Sequence, residues 1–243
     1  EKERIYNKLK NNTVPLEKVI RFSRGIKTSN DDKFLTRVHK GKDYFKIYRG
    51  KNIKSYQLNW NGEYIWYRPD LMREKVGSLP HSKEFFEAKE KLITQRVNSS
   101  MQLLVAYDNQ KQYFLDTTNV SRYDSWDNIH SFKYILAVLN SSLINYWYCN
   151  KYKMPTIGGY ELHSIPFHTI NFSNPLEKSI YESIIRLVDQ MLEAKKQLQN
   201  AQTEKQKSYY ENRCNDINKT IDAEVYKLYG LTEEEIKIVE GKE

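Results

Sequence analysis

The spacing of apolar positions changes character twice along the chain. Through the N-terminal two-thirds, short β-prone runs recur at 44–48, 64–67, 92–97, 103–107 and 113–115, rich in Tyr, Phe, Val and Ile and separated by Asn, Asp and Gly. Asn61-Gly62, between the runs 58–60 and 64–66, predicts a hairpin, because that dipeptide accepts the positive φ of a tight turn; Asp108-Asn109 plays a similar part further on. Over 131–148 the period becomes helical. Phe132, Ile135, Leu136, Leu139, Leu143, Tyr146 and Trp147 share one face, which is read as core.

The last third predicts two long helices. Asn174-Pro175 places an N-cap before a Pro at the first helical position, with Glu177 close behind. Ile180, Ile184, Leu187, Met191, Ala194 and Leu198 then follow in alternating steps of four and three. After the polar stretch 201–207, Tyr210, Cys214, Ile217, Ile221, Val225 and Leu228 repeat the pattern. Gly230 suits a left-handed cap, and Thr232 with Glu235 predicts a capping box on a short final helix. Two matched seams across a polar break predict an antiparallel hairpin with arms about 30–37 Å long. The expected fold class is α+β: a mixed strand-and-helix domain over 1–170, then a coiled-coil-like α-helical hairpin or spacer with its short terminal helix over 171–243.

Charge changes this picture more than size does. The 243 residues suffice for a core and two sub-domains, and 39% hydrophobic residues fit a folded chain. Residues 1–170 hold 28 Lys and Arg against 17 Asp and Glu, a net +11, whereas 171–243 hold 11 against 14, a net −3. A basic body with a mildly acidic tail points to a polyanionic partner for the body alone. The nineteen Tyr suit a binding surface as well as a core. No run approaches the ~20 apolar residues of a membrane span, and no signal segment opens the chain, so a cytoplasmic location without a membrane partner is expected. Glu1 in place of Met suggests a piece of a longer protein. Cys149 and Cys214 form no CxxC pair, which argues for a reducing compartment and against structural zinc.

Catalytic patterns are weak. Pro69-Asp70 and Glu87-Ala88-Lys89 match a PD…ExK nuclease loosely, with Asp70 and Glu87 to hold Mg2+ and Lys89 to polarise water. The stretch 83–91 is charged and helix-like, where that chemistry needs a core strand, and such short patterns arise by chance. Asn174-Pro175-Leu176-Glu177 lacks the second Pro and the aromatic residue with which an adenine methyltransferase grips its base, and no GxG turn follows a strand. Gly158-Gly159 is read as a loop, and His39, His81, His130, His163 and His168, lacking metal-ligand spacing, as surface or loop residues. No catalytic residue, metal ligand or cofactor is expected within these residues.

A binding surface remains. Arg21, Arg24, Lys27, Lys33, Arg37, Lys40, Lys42, Lys46, Arg49, Lys51 and Lys54 crowd the first 54 residues, and Lys151, Tyr152 and Lys153 follow the 131–148 helix. Arg and Lys neutralise phosphates, while Arg can also read base edges. Except for Lys33, these are the expected DNA contacts.

Several segments then match a known family in order. They are Arg24-Gly25-Ile26-Lys27-Thr28-Ser29-Asn30 with Phe34, Tyr48-Arg49-Gly50-Lys51-Asn52-Ile53-Lys54-Ser55-Tyr56, and Phe85 with Lys91-Leu92-Ile93. Leu136-Ala137-Val138-Leu139-Asn140-Ser141, Leu162-His163-Ser164-Ile165-Pro166 and Ile221-Asp222-Ala223-Glu224-Val225-Tyr226-Lys227-Leu228-Tyr229-Gly230-Leu231-Thr232 follow. The chain resembles the TaqI-like C-terminal specificity region of type IIG restriction–modification enzymes and related adenine-specific DNA methyltransferases. That resemblance implies sequence-specific recognition of double-stranded DNA by a module without catalysis of its own. It further implies a methyltransferase domain upstream in the same chain, which methylates a flipped adenine with S-adenosylmethionine, and a Mg2+ nuclease where the parent also cleaves. Two alternatives stay open: the specificity subunit of a multi-subunit restriction system, its hairpin docking a separate methyltransferase subunit, and a free-standing Mg2+ nuclease. Base-contacting residues vary most within the family, so the expected contacts rest on charge alone.

Overall fold

A computed structural model describes residues 2–11, 13–98, 102–152 and 154–242. Internal contacts divide the chain into two compact units: Ile20–Trp126 with Met154–His163, and Glu1–Val19 with Asp127–Lys153 and Ser164–Glu243.

The first unit is built on two four-stranded sheets. One runs Arg21–Arg24, Thr118–Arg122, Lys91–Gln95, Val105–Asp108, antiparallel throughout. The other runs Tyr113–Phe114, Tyr44–Tyr48, Tyr64–Trp66, Leu35–Thr36, with its first pair parallel. Alternation along the strands sends Ile47, Ile65, Ile93, Ala106, Phe114 and Val120 into one core with Ile26, Phe34 and Phe86. The strand runs read from the sequence are thus present, but the hairpin about Asn61-Gly62 is not. Gln57–Leu58 pairs back onto Ile53–Lys54, while Tyr64–Trp66 pairs with 44–46 and Leu35–Thr36. The chain has already reversed at buried Tyr56, whose φ is 63° and whose amide is held by the Val105 carbonyl. Gly62 keeps a positive φ of 87° in a looser turn, closed where the Trp60 indole donates to the Glu63 carbonyl.

The stretch 83–91 is not one helix. Its helical part, Lys83–Phe86, ends early, and Lys91 opens a strand. The Lys91 side chain is fully buried, 2.7 Å from Asp108, and also donates to the Phe86 carbonyl. Asp108 accepts the amides of Gln110 and Gln112 at 2.8 and 2.9 Å. Burial pulls the Lys91 pKa below its usual value, against the opposing pull of Asp108.

The second unit is helical. Its hairpin is Pro175–Asn200 and Glu204–Leu228. The first arm starts at the expected cap, Asn174 accepting the Leu176 amide, and the second at Thr203, a cap outside the sequence expectation, which accepts the Gln206 amide. Ile180, Ile184, Met191 and Ala194 are buried with Cys214, Ile217, Ile221 and Val225. Val188 takes the buried place expected of Leu187, because a straight helix of 3.6 residues per turn drifts off a strict heptad. Thr232 and Glu235 form the capping box of the last helix, Glu233–Val239.

The helix expected over 131–148 is two helices, Phe132–Asn140 and Ser142–Lys151, separated by Ser141 in an extended conformation. Periodicity misses the break because nearly every residue of the first helix is buried, whatever face it lies on. The second start is capped from the hairpin: Asp222 accepts the Ser142 amide at 2.8 Å and its hydroxyl at 2.7 Å. The grouping of segments also departs from a boundary at 170. The Tyr229 hydroxyl donates to the Pro166 carbonyl and accepts the His168 amide, while Lys8 bonds Glu235 and the Gly230 carbonyl, so 1–19 and 127–153 cluster with the hairpin.

Two stability measurements follow. Asp222→Ala leaves two polar groups of Ser142 without their acceptor and lowers the stability read from urea unfolding by about 1–3 kcal/mol, with Asp222→Asn milder because it keeps an acceptor oxygen. Asp108→Ala strands the buried Lys91 and costs about 3–5 kcal/mol, whereas the paired change Lys91→Met with Asp108→Leu costs much less. Equal losses for the single and paired variants contradict the second expectation.

Candidate nucleic-acid interface

The basic residues of the sheet unit sit on three supports. The edge strand Arg21–Arg24 presents an exposed Arg21 and a half-buried Arg24, and exposed Lys27 follows in an extended bridge to Leu79. The loop between Leu35–Thr36 and Tyr44–Tyr48 carries Arg37, Val38, His39, Lys40 and Lys42, all exposed. It is braced at its base: Arg37 donates to the Asn61 carbonyl at 3.0 Å, and the His39 ring lies edge-on to Tyr44 and Tyr64. Lys46 is exposed with its ammonium 4.7 Å from the centre of the Trp60 ring, and Lys51 and Lys54 are exposed on the turn Gly50–Asn52 and the strand after it. Gly50 is required by packing, since a Cβ there would stand 2.6 Å from the Thr117 carbonyl oxygen. A groove of about 460 Å3 runs between Arg37, Arg49, Lys51, Asn61, Glu63 and Thr117.

Arg49 differs from its neighbours. Its guanidinium forks onto Glu63, Nε at 2.7 Å and Nη2 at 3.0 Å, with Asp31 at 3.8 Å. Those hydrogen bonds hold the Glu63 carboxyl below its ordinary range against the opposing effect of burial. Arg49 therefore shapes the groove wall, a role that charge clustering in sequence does not reveal. Arg96, absent from the sequence expectation, lies half-buried just past Lys91–Gln95, its pKa lowered by burial and by the like charge of Arg24. A lone Arg at a strand end gives no clustering signal.

In the helical unit, Lys151 holds its ammonium 4.5 Å from the Trp147 ring centre and 5.0 Å from that of Tyr152, whose hydroxyl meets Ser164 Oγ at 2.6 Å. Lys151 borders a cavity of about 510 Å3 with Tyr6, Lys10 and Trp147. Lys153 lies outside the described residues. The two carboxylates of the nuclease pattern are engaged locally. Asp70 is forked by Arg68 and Glu87 pairs with Lys83 at 3.4 Å. Among the described residues, no group of three or more His, Cys, Asp or Glu is placed to hold a metal. His130 and His168 are buried rather than on the surface; the Asp127 carboxylate and the Ile170 amide hold the His130 ring, and Glu177 lies 3.4 Å from that of His168.

The family model of the TaqI-like C-terminal specificity domain matches residues 45–167, just over half of the chain, from the Tyr44–Tyr48 strand to Pro166–Phe167. The chain belongs to this family. Among solved structures, the type IIL restriction–modification enzyme MmeI in complex with DNA has the same fold, with a TM-score of 0.56 at 12% identity over 90% of this chain. The chain spans about a third (34%) of the MmeI chain. No curated protein matches. The specificity-domain match includes the Tyr48–Tyr56, Leu136–Ser141 and Leu162–Pro166 segments that carry the resemblance, whereas Arg24–Asn30 and Ile221–Thr232 lie beyond it.

The Arg49–Glu63 fork has a pH signature. A carboxyl whose folded pKa is depressed contributes stability above its ordinary value of 4.5 and loses it as pH falls through the folded value. Between about pH 5 and about pH 3 the urea midpoint of the wild type is expected to fall further than that of Glu63→Gln. A parallel decline of the two proteins contradicts the fork as a stabilising contact.

Proposed function

We propose that this specificity domain is the DNA-reading module of a restriction–modification enzyme and binds double-stranded DNA sequence-specifically. Membership of the specificity-domain family carries the reading, and the basic loops held on a rigid sheet support it. Arg21, Lys27, Arg37, Lys40, Lys42, Lys46, Lys51 and Lys54 meet the duplex directly, and Lys151, Tyr152 and Lys153 add a second contact region. Arg49 acts by positioning. MmeI, a restriction–modification enzyme solved with DNA, shares the fold, which supports a parent of the same general kind. In that parent a methyltransferase, in the same chain or a separate subunit, uses S-adenosylmethionine to modify adenine, with Mg2+ where the enzyme also cleaves. The setting is cytoplasmic; among the described residues no helix is long and apolar enough to cross a membrane.

Fluorescence anisotropy with a labelled duplex tests this. Affinity should fall steeply with salt, and each lysine that meets a phosphate accounts for about 0.9 of the log–log slope. Replacing Lys40, Lys42 and Lys46 together by Ala should weaken binding and flatten that slope. Binding indifferent to salt, or a triple variant indistinguishable from wild type, overturns the assignment of this face.

A further inference from the structure

Among the described residues of the sheet unit, Arg24 and Arg96 are half-buried cations without an ion-pair partner. Arg24 stands opposite Asn119 on one side of the central strand, and Thr94 stands opposite Asn119 on the other. Directly opposed residues of an antiparallel ladder project to the same face, and so do residues two apart along a strand. Arg96, two residues beyond Thr94, continues that face: its amide donates to the Thr117 carbonyl at 2.9 Å, and its carbonyl accepts the Ile157 amide at 2.6 Å. Asn119 is itself tied down, donating to Thr94 Oγ1 and to the Ile157 carbonyl, each at 3.0 Å. Both guanidiniums therefore belong to one end of one sheet face, beside the turn that enters Gly158-Gly159.

Both side chains are half-buried, and among the described residues neither guanidinium has a hydrogen-bond or ion-pair partner. Asp116 and Glu161 attract Arg96 without pairing with it, and Glu161 accepts the Gly158 amide at 2.9 Å. Burial lowers the Arg96 pKa, and the like charge of Arg24 lowers it further. Arg24 and Arg96 lie on either side of the same central strand, and an anion placed between two such like charges relieves their repulsion. A base edge is neutral and leaves the repulsion in place. A phosphate removes it and offers oxygens to both forks.

We propose that Arg24 and Arg96 jointly clamp a single backbone phosphate, fixing the register of the duplex on the sheet rather than reading a base. The proposal rests on the DNA-reading assignment for its ligand, and on the sheet geometry for the anion site itself. Phosphate contacts orient a protein on DNA without carrying sequence information.

The test has two arms. With DNA, Arg24→Gln and Arg96→Gln should each weaken cognate and non-cognate duplexes alike and remove about 0.9 from the salt slope. The double variant should remove no more slope than either single, because one phosphate is lost in every case. A double variant that removes about twice as much indicates two separate phosphates and overturns the clamp. A loss confined to the cognate sequence assigns base reading and overturns it too, as does unchanged binding. Without DNA, inorganic phosphate should raise the Tm of the wild type but not of the double variant, and Arg96→Gln should raise Tm in low-salt, phosphate-free buffer. Phosphate that stabilises both proteins equally overturns the site. A wild type that binds phosphate at this pair but no duplex supports the anion clamp while overturning the reading of DNA. Should a Gln variant fold poorly, Arg24→Lys and Arg96→Lys keep the charge and are expected to retain the full slope.

Discussion

The sheet unit turns on a buried ion pair. Lys91 and Asp108 face each other across the first register of their two strands, and the same ammonium takes the carbonyl that ends the short helix at Phe86. The same carboxylate gathers the amides that lead the chain from one sheet into the other at Tyr113–Phe114. Tyr113 then enters an aromatic cluster with Phe45, Tyr67 and Phe86. A buried charge pair of this kind is a weak source of net stability, but it penalises any arrangement that separates its partners. Strand register, the end of the helix and the passage between the sheets all depend on one contact in which each charge is satisfied several times over.

The helical unit uses the same device with less charge. Asp222, Tyr226 and Tyr229 recur at steps of four and three on the second hairpin arm, and all three are buried. Asp222 caps the helix that restarts at Ser142, and Tyr229 holds both sides of the Pro166–Phe167 strand. The segment 221–232, part of the resemblance to specificity domains, thus has a structural meaning. It is where the hairpin fastens to the helices and the short strand that pack with it.

Cations divide by what surrounds them. Lys91, Arg49, Arg68 and Arg122 have carboxylate partners and hold the fold locally. Lys40, Lys42, Lys51 and Lys54 stand exposed on loops and turns, where a polyanion can reach them. Arg24 and Arg96 belong to neither group, being partly withdrawn from water yet, among the described residues, not ion-paired with a carboxylate. Among the described residues of the sheet unit the other half-buried cations, Arg49 and Arg68, are paired with carboxylates, and that mismatch points to a ligand.

Elements governed by neighbours three or four residues away were legible from the sequence. The hairpin arms, the caps at Asn174 and Thr232 and the strand runs depend on local spacing and local hydrogen bonds, and the basic character of the first 54 residues needs only counting. Tertiary structure decided whatever depends on distant partners. The break at Ser141 depends on Asp222, eighty residues on, and the strand partner of Gln57–Leu58 depends on a turn at Tyr56 supported by Val105. The separation of Arg49, bound to Glu63, from the exposed Lys51 and Lys54 is also tertiary. So is the meeting of Arg24 and Arg96, which are far apart in sequence and are brought to one face only because both of their strands pair with the strand that carries Asn119.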